Sequence, residues 1–157
     1  AAWFHDTGYL HTYKGHEQRS CEYAEDFLGK RSYPEDRIAQ IKQLIHSTTK
    51  GVRPETLLEQ VLHDADVINL GKETFFSRAE MLRVEWELFL NLYYSEVEWE
   101  KLQLDFLLNT TFFTNFARKK YGPQRKLNIE AQRENYKDSK KRQKKLRKKK
   151  TSSEVRK

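Results

Sequence analysis

One cysteine, three prolines and six glycines are spread over 157 residues, and no histidine follows His63. A lone Cys21 excludes an intrachain disulfide framework and fits a reducing compartment, where a small thiol fills a helix face. The few glycines sit between periodic segments, and that scarcity of Gly and Pro suits an all-helical chain. No run approaches the ~20 apolar residues a membrane span requires, and WELFLNLYY is interrupted too soon. No basic start leads into an apolar stretch, so no signal peptide is read. These absences lead us to expect a cytoplasmic protein.

What is present is a globular composition, 37% apolar and 13% aromatic, in a chain long enough for one domain with a core. The net charge of +7 is unevenly placed. Residues 137–157 hold twelve Lys/Arg against Asp138 and Glu154, whereas residues 1–136 carry 18 basic against 21 acidic groups. The basicity belongs to a tail.

AAWFHD reads as the last turns of a helix with no capping residue before it, so the chain is expected to start inside a domain. TGYLHTYKG reads as a loop. Helices are predicted over about 17–30, from SYPED (Ser32 as cap, Pro34 in the first turn) to His46, and from Pro54 to Leu70. Others follow over 75–94 and 95–108, the latter opened by the capping box SEVE. A short helix, 112–121, is predicted to stop at Gly122-Pro123, with a polar helix beyond that runs into KKRQKKLRKKK. The stripes Trp86/Phe89/Leu90/Tyr93 and Trp99/Leu102/Phe106/Leu107 are predicted to be core.

The histidines keep acidic company: His5-Asp6, His16-Glu17 and His63-Asp64-Ala65-Asp66, with His46 on an apolar helix. Imidazole nitrogen mixed with carboxylate oxygen suits mid-row divalent ions. Leu58, Leu62, Asp66 and Leu70 are successive i, i+4 positions, so Asp66 interrupts a leucine row and is predicted to face the core. An aspartate there needs a partner. A metal supplies one; so does a helix N-terminus, or a salt bridge with Arg53 or Lys50. His11 reads as an exposed loop residue, and His63 with Asp64 as a surface pair.

HD at the end of an apolar helix, HE followed by SCEYAEDFL, IHSTTKG, and LLEQVLHDADVINLG resemble the HD-domain metal-dependent phosphohydrolase superfamily over roughly residues 1–70. The resemblance implies an all-α bundle of HD type, lacking its first helices and the family's upstream histidine. It further implies a partial domain at 1–122, with metal motifs in 1–70 and packing helices in 74–121, followed by a basic helical tail at 123–157. Carried over, His5 and Asp6 match the signature pair, Asp66 the final aspartate (Asp64 if the register slips by two), and His16 and His46 the extra histidines. One or two divalent ions (Mn, Fe, Co or Ni) are implied, with Asp6 as the catalytic and bridging carboxylate. Lys50 and Arg53 are then the cations for a phosphate ester or nucleotide substrate. Impaired activity is expected where the first histidine is missing. Some HD proteins with the extra histidines are di-iron oxygenases, the rival enzyme class. A non-catalytic regulatory module is the third reading.

KKRQKKLRKKK packs nine cations into eleven residues. It is read as a solvated tail whose contacts with RNA or anionic lipid are adventitious, nucleic acid being a weak partner through it. Apolar surface left open where further helices would dock invites self-association, so an oligomer is among the expected partners.

Overall fold

The computed structural model describes residues 1–154, with side chains to residue 148; the last residues of the predicted tail lie outside the described ones. Among the described residues there are six α-helices and no strand: α1 (His16–Gly29), α2 (Glu35–His46), α3 (Leu57–Asp66), α4 (Phe75–Leu90), α5 (Glu96–Asn109) and α6 (Asn115–Glu154). Among the described residues, no helix is long and apolar enough to cross a membrane. The chain forms two compact units, one of residues 1–67 with 112–117, the other of 68–111 with 118–157.

In the first unit α1 packs on α2 and on the N-terminal turns. The buried centre is Cys21, Ala24 and Ile45, with Phe4 and Ile41 against it. Burying such side chains contributes about 1.5–3 kcal/mol each for the larger aliphatics. AAWFHD is a hydrogen-bonded turn rather than a helix end: the amides of Phe4 and His5 both donate to the Ala1 carbonyl. A 3-10 helix, Thr7–Leu10, follows where a loop was expected. α2 is capped at Pro34, not Ser32, whose φ of 54° is left-handed. α3 opens later than Pro54, at a Thr56/Glu59 capping box, and Glu59 also accepts from Gln43 of α2. α3 stops at Asp66; Ile68–Gly71 is a separate 3-10 turn.

That early stop corrects the leucine row. Leu70 no longer shares a helix with Leu58 and Leu62, Leu58 is exposed, and the Asp66 side chain is 34% exposed rather than facing the core.

The second unit centres on Leu70, Phe75, Trp99 and Leu107, all buried. Trp99 donates its indole N–H to Glu80, 3.1 Å away, so its one polar atom is satisfied. The Ser95/Glu98 capping box opens α5 as expected. α4 ends earlier than predicted, at a left-handed Asn91. Tyr93, beyond the helix, and Phe89, within it, are both exposed rather than core, and Phe106 is half-exposed.

Pro123 does not end a helix; it lies inside α6. The residue before it is Gly122, which has no Cβ to clash with the proline ring, so the usual steric stop is relieved. Gly71 serves close approach: a Cβ there would sit 2.4 Å from the Tyr121 carbonyl oxygen.

Candidate metal centre

The site is assembled in the first unit from three short stretches. Phe4 anchors the first, its ring 5.6 Å from that of Phe27 and packed on the buried centre, while Trp3 points into solvent. With Phe4 held, His5 and Asp6 emerge together at the end of the turn. The second stretch is the start of α1, where Gly15 at φ 70° caps the helix and presents His16. The third is the end of α3, carrying Asp66.

Buried Ser20 ties the first two stretches together. Its hydroxyl donates to the His5 carbonyl at 2.7 Å and accepts the Gly8 amide at 2.9 Å. Ser20 lies one turn after His16 on the same helix face, which is the signal that sequence reasoning passed over. Gly8 permits the approach: an added Cβ would stand 2.0 Å from the His16 carbonyl oxygen. Its φ is not left-handed, so space, rather than backbone freedom, requires glycine there.

His5 Nε2 lies 3.2 Å from Asp6 Oδ2 and 3.5 Å from Asp66 Oδ1. One ligand atom from each of His5, Asp6 and Asp66 falls within 4.8 Å of the others. The second Asp6 oxygen, Oδ1, is 3.6 Å from His16 Nε2, so Asp6 sits between the two histidines. Each imidazole has its Nδ1 beside the backbone carbonyl three residues back: Ala2 at 2.9 Å for His5, Tyr13 at 3.3 Å for His16. A carbonyl only accepts, so each Nδ1 carries a proton and each Nε2 is turned to the carboxylates. His16 is further fixed by the Tyr9 ring, stacked at 3.7 Å, and by Glu17, 3.5 Å from its Nδ1.

The electrostatics follow from this wedge of acid around imidazole. The hydrogen bonds to Asp6 and then Asp66 push the His5 pKa up to about 10, outweighing burial. The same hydrogen bond from His5 holds Asp6 below the usual carboxylate range, against the opposing effect of burial. Burial foremost pushes the Tyr9 hydroxyl above the usual phenol range. Without an ion, therefore, a proton on His5 bridges the two carboxylates at neutral pH.

The three donors form a group that could hold a divalent cation. Metal–ligand bonds of about 2.0–2.2 Å put neighbouring ligand atoms roughly 3–3.5 Å apart, the spacing of His5 Nε2 from both carboxylates. One nitrogen and two carboxylate oxygens are a set that mid-row ions accept. Asp6 and Asp66 are partly exposed, leaving the group open to solvent.

Of the predicted ligands, His5, Asp6 and Asp66 come together, and His16 lies beside them, in contact with Asp6 alone of the three. His46 does not belong to the group: it is exposed at the end of α2. Lys50 and Arg53 are exposed on the loop between α2 and α3, and among the described residues neither is ion-paired with Asp66.

Asp64, the alternative carboxylate, lies outside the His5–Asp6–Asp66 group. It is buried, and it accepts from the amides of Phe113 and Thr114 at 2.8 Å each and from the Thr114 hydroxyl at 2.7 Å. Thr114 in turn accepts the Ala117 amide, so Asp64 braces the start of α6. The surface pair expected of His63 and Asp64 is thus not formed; the His63 ring packs edge-on against Phe113 at 5.0 Å.

No protein-family model, no curated protein and no solved structure matches this chain.

Proposed function

We propose that the chain is a divalent-metal phosphohydrolase of the HD-domain type, acting on a nucleotide or another phosphate ester. One observation carries the reading: the imidazole and carboxylate of His5-Asp6 meet a second carboxylate from the end of α3, with the imidazole oriented by a backbone carbonyl and the group open to solvent. A histidine shifted by two specific carboxylate partners in a group open to solvent is a functional-site candidate.

His5 Nε2, Asp6 and Asp66 hold the ion, with Mn, Fe, Co or Ni the candidates by donor type. The chemistry such an ion supplies is Lewis acidity toward phosphoryl oxygens and water. The Ala2 carbonyl keeps Nε2 of His5 aimed at the carboxylates. Asp6, ionised at neutral pH, is the carboxylate that can accept a proton while its other oxygen engages His16. Lys50 and Arg53, exposed on the neighbouring loop, are the cations of this reading for substrate phosphate.

The test is to load the chain with Mn²⁺, Co²⁺, Ni²⁺ or anaerobic Fe²⁺ and screen a panel of phosphate esters. His5→Ala and Asp66→Ala are each expected to abolish turnover and lower metal stoichiometry while helicity by circular dichroism is retained. Retention of metal and turnover by both variants would sink the assignment.

A further inference from the structure

The C-terminal part of α6 has one polar, buried face and one cationic face. Asn128, Gln132 and Ser139 are each at most 2% exposed. Asn128 donates to the carbonyls of Leu70 and Lys72 at 2.9 Å each, and Gln132 to that of Glu100 at 2.9 Å. Arg142 pairs with Glu96, the first residue of α5. α6 thus runs antiparallel to α5 and continues past its start for about three turns, to Glu154.

At about 100° per residue, Gln143 and Leu146 continue the line of Asn128, Gln132 and Ser139. The eight Lys and Arg residues between 137 and 148 fill the rest of the circumference, an arc of about 220°. Lys137 pairs with Glu134, Lys141 with Asp138, and Arg142 with Glu96. No acid occurs between Asp138 and Glu154. The packing face points the cationic arc away from the unit's own core.

We infer that this segment of α6 binds double-stranded B-form DNA by lying in the major groove and engaging phosphates on both walls. The charge densities match. Eight cations span about 18 Å of helix rise, against roughly ten phosphates over the same length of duplex. A helix about 10–12 Å across fits a groove about 12 Å wide, and an arc wider than a half-circle reaches both walls. Lysine predominates, a point charge that holds phosphate without forking onto base edges, so binding is indifferent to sequence. A helix that lies on a membrane needs an apolar face opposite its cations; here that face is Gln143, Leu146 and buried polar residues. Duplex RNA offers a major groove too deep and narrow for a helix.

The experiment uses the full chain and a short fluorescent DNA duplex, titrated by anisotropy at several salt concentrations. Lys144→Gln, Lys145→Gln and Lys148→Gln are combined in one variant, since glutamine and lysine have similar helix propensity. The wild type is expected to bind tightly only at low salt. The triple variant should lose about three phosphate contacts, making the log–log salt slope shallower by about 2.7. Its circular dichroism and its metal binding should be unchanged, which separates this inference from the metal-site reading. Three results would overturn it: no duplex binding by the wild type at low salt, an unchanged slope in the variant, or tighter binding to duplex RNA or phosphatidylserine vesicles than to DNA.

Discussion

A divalent ion that enters the His5–Asp6–Asp66 group must displace a proton. His5 is hydrogen-bonded to both carboxylates, and its pKa stands at about 10 against an ordinary 6.5. Only neutral imidazole ligates. At pH 7 the neutral fraction is then about one in a thousand, and it grows about tenfold with each pH unit. The apparent affinity for Mn²⁺ or Ni²⁺ should therefore rise about a hundredfold between pH 6 and pH 8. Calorimetry in buffers of different ionisation enthalpy should report about one proton released per ion near pH 7. Asp66→Asn removes one of the two carboxylates, so it should lower the His5 pKa by about 1–3 units, read from the imidazole proton shift without metal. An affinity that stays flat from pH 6 to pH 8, or a His5 midpoint near its ordinary value, would refute the reasoning.

The remaining expectations concern stability. Gly8→Ala puts a Cβ 2.0 Å from the His16 carbonyl oxygen, so turn and helix must part, costing about 1–3 kcal/mol by urea unfolding. Asp64→Ala strips three hydrogen bonds from the start of α6 and should cost about 3 kcal/mol. Asp66→Ala, at a partly exposed ion pair, should cost about 1 kcal/mol or less; equal losses for the two aspartates would contradict their separate roles. The His5 pKa is raised on folding, so its stabilisation is complete below pH 6.5 and fades as pH rises through about 10. Asp6 is shifted down, so its contribution is present above the ordinary 3.8 and is lost as acid protonates it. Thermal melts should accordingly decline on both sides of a plateau between those limits.

Local chemistry was legible without coordinates. The capping box at Ser95 and Glu98 and the periodicity of α1 and α2 depend on residues within one or two turns of each other. So does the pairing of His5 with Asp6. The histidine–carboxylate pattern also pointed to Asp66 and His16; Asp66 joins the group, and His16 stands next to it against Asp6. His46 shared the pattern but ends its helix in solvent, because its helix packs through Ile41 and Ile45 instead. Proline at 123 looked like a stop signal, yet the glycine before it lets the helix pass.

Asp64 and Asp66 show where sequence information ends. Two residues apart on a helix, they point about 200° from each other, so spacing alone says they cannot share a site. Which one meets His5, and which one braces α6, depends on what lies on either side of α3. The neighbour on one side begins at Phe113, 49 residues away from Asp64 in the chain, and the neighbour on the other is a turn at the N-terminus. The same holds for Gly8 and Ser20, whose roles exist only because α1 returns to within contact distance of the first turn. Sequence determined the all-helical class and the residue types available for a cation. Tertiary packing decided which of them converge, because convergence is a relation between distant segments that no local pattern encodes.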